Sequence, residues 1–298
     1  MTRSRLGTVL TAMVTPFAPD GTISFDVARD VARFLVAQGS DGLVVAGSTG
    51  EGSALSDSEK LDLFACVTEA VSVPVIAGTT SADTAHSVEL TSRAADTGVA
   101  AILATTPAYV RPNQTGMAAH FAAVAQSTAL PVMLYDIPSR TGRKIASATT
   151  IDVVRHHSNV IALKDASTDL AAAAHTKFVL GTKLDLYSGD DALLLPFMAL
   201  GAVGVVSVAA HWAAPEFVGV VRNVECGDWD LARLLNERLA ESCAFETSDA
   251  SPNPMPAKAA MRVLGFAVGE CRLPLGPSEP ELEERAREII ATLGATRG

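Results

Sequence analysis

Eight short apolar runs constrain this chain more than any other feature of its sequence. They begin near Thr8, Gly42, Val73, Ala100, Pro131, Val160, Leu184 and Val203, are rich in Val, Ile and Leu, and show no polar alternation. A strand with one wet face alternates apolar and polar residues, whereas a strand covered on both faces does not, as in a parallel sheet flanked by helices. Between most of the runs lie stretches with apolar residues at helical spacing, such as Ser56 to Val71, Ala82 to Thr97 and Thr115 to Thr128. They open with Ser, Thr or Ala near acidic residues and fit crossover helices. Eight such units predict a closed (β/α)8 TIM barrel, an α/β fold that accommodates 298 residues as one unit. An open doubly wound sheet usually has fewer strands and a glycine-rich dinucleotide turn, and no Gly-x-Gly-x-x-Gly follows the first run. Beyond the eighth run the pattern is mostly helical, as in Trp229 to Cys243 and Glu281 to Leu293, with a proline-rich break at Ser251-Pro252-Asn253-Pro254-Met255-Pro256. The expected organisation is a barrel over residues 1–213 and a C-terminal helical extension over 214–298 packed on it.

Composition narrows the function. A formal charge of −10 with no Lys/Arg cluster argues against nucleic acid, whose binding requires basic groups to displace counterions. Cys66, Cys226, Cys243 and Cys271 lie far apart, and the six histidines have no ligand spacing, so no metal site is expected. The cysteines read as reduced, mostly buried thiols, and the first residues lack the apolar core of a signal peptide, which gives a cytoplasmic expectation. From Ala192 to Pro215 there is no Asp, Glu, Lys or Arg, and the length matches a membrane span. Pro196, Gly201 and Gly204 divide it, so a buried helix from Ala192 to Leu200, a turn and a strand from Val203 to Ala209 are expected instead, and no membrane partner.

Polar residues cluster where the apolar runs end. Gly47-Ser48-Thr49-Gly50-Glu51 follows the second run, Pro107-Ala108-Tyr109 the fourth, Tyr135-Asp136-Ile137-Pro138-Ser139-Arg140 the fifth, and Ser188-Gly189-Asp190-Asp191 the seventh, while Lys164 ends the sixth. In a barrel these C-terminal strand ends converge on one face, where catalytic groups of this architecture sit. An amine on an apolar strand end is desolvated, which disfavours its charged form and leaves a nucleophile able to attack a carbonyl. By itself Lys164 also fits a solvated strand end, Gly47 to Thr49 an ordinary β-to-α turn, and Tyr135 a half-buried core tyrosine.

Four spellings carry a resemblance to the dihydrodipicolinate synthase and N-acetylneuraminate lyase family over nearly the whole chain. They are Thr11-Ala12-Met13-Val14-Thr15-Pro16-Phe17, Gly47-Ser48-Thr49-Gly50-Glu51, Tyr135 through Gly142, and Leu163-Lys164-Asp165. The resemblance implies an enzyme in which Lys164 condenses with the ketone of pyruvate, giving an iminium and then an enamine. It places Gly47, Ser48 and Thr49 on the pyruvate carboxylate, Val206 at the substrate, and Tyr135 in a proton relay. It also implies a homo-oligomer, a dimer or tetramer, in which Tyr109 reaches a neighbouring subunit's site. Ser48 stands where the family has threonine, which keeps the hydroxyl but loses the stiff χ1. Arg140 is the residue that in the synthases binds the carboxylate of L-aspartate 4-semialdehyde, and the sugar-acid lyases lack it. Asn253-Pro254-Met255-Pro256-Ala257-Lys258 also follows the synthases, for structural reasons. Against this, the Gly-Ser-Thr-Gly-Glu spelling occurs in the lyases too, and Gly52 replaces a serine usual in the synthases.

The implied reaction is condensation of pyruvate with L-aspartate 4-semialdehyde in lysine biosynthesis, with no cofactor. An aldolase acting on another aldehyde, such as a 2-keto-3-deoxy sugar acid, and a non-catalytic ligand-sensing barrel are the alternatives. The family's lysine-regulatory positions correspond to Ala108, Asp57, Lys60, Ala82 and His86, which lack the aromatic wall and acidic partner; weak inhibition by lysine is expected. Asp190 and Asp191 suit a turn or helix cap, His156 and His157 a helix end or solvent, and His211 the mouth of the site.

Overall fold

The computed structural model describes residues 6–294. Eight strands close into one parallel barrel in sequence order: β1 (Val9–Ala12), β2 (Gly42–Val45), β3 (Val75–Gly78), β4 (Ala101–Thr105), β5 (Val132–Asp136), β6 (Val160–Asp165), β7 (Asp185–Ser188) and β8 (Gly204–Ser207). Nearly every strand residue is buried, which is why the runs carry no polar alternation. The crossover helices are α1 (Phe25–Ala37), α2 (Asp57–Ala70), α3 (Thr84–Ala94), α4 (Gln114–Gln126), α5 (Pro138–Thr141), α6 (Ser147–His156), α7 (Leu170–Leu180) and α8 (Leu194–Ala199). Ser56 caps α2 in a reciprocal capping box with Glu59, so that helix starts one residue inside the stretch read from sequence.

The strands separate two cores. One lies inside the barrel, where Leu10, Val44, Ile76, Met133, Tyr187 and Val206 meet; the larger one fills the space between sheet and helices. The apolar stretch from Ala192 to Pro215 folds as expected in outline, with α8 and β8 separated by a turn. The helical part begins as a 3-10 turn over Asp191–Leu193, and the strand is confined to Gly204–Ser207. No helix among the described residues is long and apolar enough to cross a membrane.

α9 (Ala210–Cys226) packs on β1, and α10 (Trp229–Arg238), α12 (Met255–Val263) and α13 (Glu281–Leu293) pack on α9. The single helical stretch read from Trp229 to Cys243 is two helices, α10 and α11 (Ala240–Phe245), separated at Leu239. The 213/214 division falls within α9, at Ala213, whose φ of −126° breaks the helix just before Pro215.

Closure depends on a seam in which Val9, Leu10 and Thr11 pair with Val205, Val206 and Ser207. At its edge, a Cβ on Gly204 would fall on the backbone carbonyl of Thr8, an atom that cannot turn aside. Gly204→Ala is therefore expected to cost on the order of 3 kcal/mol or more. The midpoint of denaturant unfolding measures this, and an unchanged midpoint would show that the seam tolerates a wider spacing.

Candidate active site

Lys164 and Tyr135 sit directly opposite each other on β6 and β5, so both side chains leave the sheet on the same side at the C-terminal mouth. The Lys164 Nζ lies 4.2 Å from the centroid of the Tyr135 ring, and only 5% of the residue is exposed. Burial lowers the ammonium pKa to about 8; Asp191 and Glu246 oppose the shift and Arg140 adds to it. At pH 7 about one such amine in ten is neutral, against about one in 2,500 for an ordinary lysine. Burial acts oppositely on the Tyr135 phenol, raising it well above the usual range and keeping it a proton donor. The neighbouring Ser48 hydroxyl opposes the rise in part.

Ser48 belongs to a sharply folded turn after β2. Ala46 and Glu51 both take left-handed backbone, with φ of 52° and 54°. The N–H groups of Glu51 and Gly52 turn back to the carbonyls of Ser48 and Gly47, at 3.1 and 3.0 Å. Among the described residues no hydrogen bond is drawn from the N–H of Ser48 or Thr49, which leaves two donors for an anion. The turn passes into a one-turn 3-10 helix, Gly52–Ala54, rather than directly into α2. A Cβ at position 52 would strike the Ala46 carbonyl, so the turn in this form requires glycine there.

The turn is held from below and behind. Thr15 Oγ1 donates to the Gly50 carbonyl at 2.6 Å. Glu51 is buried and pairs through Oε1 with Lys258 Nζ at 2.6 Å, while its Oε2 accepts from the Arg272 backbone N–H at 2.8 Å. Lys258 lies 4.1 Å over the Phe17 ring and donates to the Glu270 carbonyl. Thus the Thr15-Pro16-Phe17, Gly47 to Glu51 and Asn253 to Lys258 spellings meet in one buried assembly.

Asn253 extends this assembly to the mouth. Its Nδ2 donates to Thr49 Oγ1 at 2.9 Å, and its carbonyl accepts from Arg140 Nη2 at 2.9 Å. The sequence alone assigned this stretch only a structural part. Arg140 stands on the short α5, with an exposed guanidinium that pairs with neither Asp136 nor Asp165. Asp136 instead meets Lys144 at 3.6 Å.

Other expected residues are placed differently. Tyr109 is 94% exposed with a left-handed φ of 69°, so within one chain it is not brought to Lys164. Val206 is packed inside the barrel. His211 does not line the mouth: it is fully buried, its Nδ1 donates to the Val208 carbonyl and its Nε2 accepts from the Val14 N–H. That pairing fixes a neutral tautomer, and burial lowers its pKa to about 4. Asp190 caps the 3-10 turn before α8, as a turn residue should, whereas the buried Asp191 accepts from Ser207 Oγ and from the N–H groups of Val208 and Ala209. His156 faces solvent near Asp152. Glu246, unremarked in the sequence, acts electrostatically on both Lys164 and Tyr135.

A parallel barrel that presents a desolvated lysine, a neutral phenol and a tightly folded glycine turn on one mouth defines a Schiff-base-forming lyase. Comparison with known proteins agrees. The Dihydrodipicolinate synthetase family model matches residues 5–293, and the chain belongs to this family. The 4-hydroxy-tetrahydrodipicolinate synthase of Symbiobacterium thermophilum is 42% identical over 290 residues, 97% of this chain and 98% of the relative. That of Bacillus subtilis is 43% identical over 275 residues, covering 91% and 93%. Among solved structures, DHDPS from Cyanidioschyzon merolae with lysine bound superposes with a TM-score of 0.94 at 39% identity, covering 97% of this chain and 99% of that one.

The Lys164 environment sets a pH dependence. The amine is reactive when neutral, so the initial rate of borohydride trapping with pyruvate should rise about tenfold per unit below its folded pKa of about 8 and level off above it. Intact-mass kinetics measure this; a rate still climbing steeply at pH 10 would mean an ordinary solvated lysine.

Proposed function

We propose that Lys164, Tyr135, Ser48, Thr49 and Arg140 carry out the condensation of pyruvate with L-aspartate 4-semialdehyde to 4-hydroxy-tetrahydrodipicolinate, a reaction of lysine biosynthesis. The observation that carries the reading is the buried Lys164 amine beside the Tyr135 ring. The neutral amine adds to the pyruvate ketone, and loss of water gives an iminium. Gly47, Ser48 and Thr49 hold the carboxylate through hydroxyl and backbone donors. The iminium acidifies the methyl group; its proton passes into the Tyr135 and Ser48 hydroxyl relay, the enamine carbon attacks the aldehyde carbonyl, and the relay returns a proton to the alkoxide that forms. Arg140, oriented by the Asn253 carbonyl, binds the carboxylate of the aldehyde, whose amino group then closes on the iminium carbon and releases Lys164.

The active form is a homo-oligomer in which Tyr109 completes the relay of a neighbouring subunit. Its support is the exposed position of Tyr109 and its left-handed backbone, a strained conformation for a bulky residue. The enzyme acts in the cytoplasm, and residues 214–298 serve the barrel over 1–213 by supplying Asn253 and Lys258.

Arg140→Ala should lower kcat/KM for L-aspartate 4-semialdehyde by about a hundredfold or more while the pyruvate adduct still forms, because a charged hydrogen-bond partner of the second substrate alone is lost. Steady-state kinetics together with intact-mass trapping test this; an equal loss in both steps would remove Arg140 from aldehyde recognition.

Regulation by lysine is weak. At the corresponding positions His86 is paired with Asp57 at 2.8 Å and Lys60 is buried, which leaves a cation where a dicationic amino acid would need an acidic partner. An initial-rate titration should show little inhibition at millimolar lysine, and strong inhibition at micromolar concentrations would reverse the assignment.

A further inference from the structure

Arg140 meets a substrate only if the loop that carries it is held in place, and the structure holds that loop with groups that the chemistry above does not use. The loop leaves β5 at Asp136 and returns at Ile145, whose N–H donates to Asp136 Oδ1 at 3.1 Å. The Asp136 side chain thus closes the neck of a loop whose tip, α5, bears Arg140. The other carboxylate oxygen, Oδ2, faces Lys144 Nζ at 3.6 Å. That ammonium also donates to Ser167 Oγ at 2.7 Å and lies 3.6 Å from Oδ2 of Asp169, the cap of α7. The Lys144 carbonyl accepts from Gln114 Nε2 at 2.9 Å, which fixes the backbone from which the side chain springs. One lysine therefore ties the Arg140 loop to the strand before it and to the segment after β6.

The charges set this tie apart from a surface ion pair. Asp136 is buried, and its partner in register across the sheet is the buried Asp165, which accepts from the Ser167 N–H at 2.8 Å. Lys144 and Asp165 are the charged groups that act on Asp136; Gln114, reaching the loop from α4, is neutral, and Asp169 meets Asp136 through Lys144. Withdrawal from water, with Asp165 adding to it, raises the Asp136 carboxyl to about 6, while the Ile145 N–H and Lys144 restrain the rise. Above that pH Asp136 is an anion and the pair is intact. Below it the carboxyl is neutral, and Lys144 loses its buried partner.

We infer that Lys144 and Asp136 are positioning residues for the aldehyde: their ion pair sets the loop so that the Arg140 guanidinium, held at its far end by the Asn253 carbonyl, stands where the substrate carboxylate arrives. The inference rests on the reading that Arg140 binds the aldehyde. It also separates the two half-reactions. In that reading pyruvate is held by Lys164 and the turn after β2, whereas the Lys144 ammonium is bonded to Asp136, Ser167 and Asp169.

The test uses the full chain carrying Lys144→Met, which keeps an unbranched side chain and removes its charge. At about pH 8 the KM for L-aspartate 4-semialdehyde should rise about tenfold, while the rate of pyruvate trapping, read by intact mass, changes by less than about twofold. Lys144→Arg should restore most of the loss. A pH profile distinguishes this role from general support of the fold. For the unaltered enzyme, kcat/KM for the aldehyde reports on protein already joined to pyruvate, so the free Lys164 amine does not enter it. It should fall about tenfold through a pH of about 6 and level off below. Asp136→Asn keeps an acceptor for the Ile145 N–H and should give a flat profile at that lower level, with pyruvate trapping again confirming a folded site. An unchanged KM in Lys144→Met, an equal loss in pyruvate trapping, or a step that persists in Asp136→Asn overturns the positioning role. If Arg140→Ala itself leaves the aldehyde KM unaltered, the underlying assignment of Arg140 fails instead.

Discussion

The buried ion pair between Glu51 and Lys258 is the contact on which the remaining architecture of the site depends. Each partner is about 1% exposed, so removing either would leave an unpaired charge in the core, a change that typically costs about 3–5 kcal/mol. The pair fixes the end of the Gly47 to Glu51 turn, seats Lys258 on Phe17 of the first strand loop, and draws α12 against the barrel. Arg272 reinforces it, stacking 4.3 Å over the same ring and donating to the carbonyls of Gly21 and Ala54. The turn is thus rigid because three distant segments are tied to one carboxylate.

Lys258 and Lys164 show how neighbours decide what burial does to an amine. Both are withdrawn from water, and desolvation lowers both. Lys258 has a carboxylate in direct contact, which opposes the shift and makes it a structural cation. Lys164 has an aromatic face at contact distance, and burial outweighs the opposing pull of Asp191 and Glu246, so the neutral amine is accessible near physiological pH. The same strategy at two positions yields a rivet and an amine that can be neutral.

Much of this was legible in the sequence, and the reasons are particular. The barrel could be read because doubly covered strands cannot hide their lack of alternation, and the break of the Ala192 to Pro215 stretch because Pro and Gly constrain backbone locally. Lys164, Tyr135 and the turn from Gly47 to Glu51 share a mouth because strand ends converge in this fold. What escaped was set by distance along the chain. His211 follows a strand and so seemed placed for the mouth, but its partner is the N–H of Val14, 197 residues away, and the pairing draws it into the core. The link from Asn253 to Thr49 spans 204 residues and leaves no local pattern. Gly52 looked like a departure from the family's spelling; the carbonyl of Ala46 supplies its reason only in three dimensions.

The ties between the N-terminal turn and the C-terminal helices impose an order on biosynthesis. Every residue that touches pyruvate in the proposed chemistry has been synthesised once Lys164 is made, yet Asn253, Lys258 and Arg272, which hold the turn and the guanidinium, come roughly ninety to a hundred and ten residues later. At 5–20 residues per second, about 5–20 s of synthesis separates a chain that possesses its nucleophile from one able to orient a substrate against it. The reactive lysine thereby spends its early existence without a formed carboxylate cradle, and the last quarter of the chain acts as the step that arms the first.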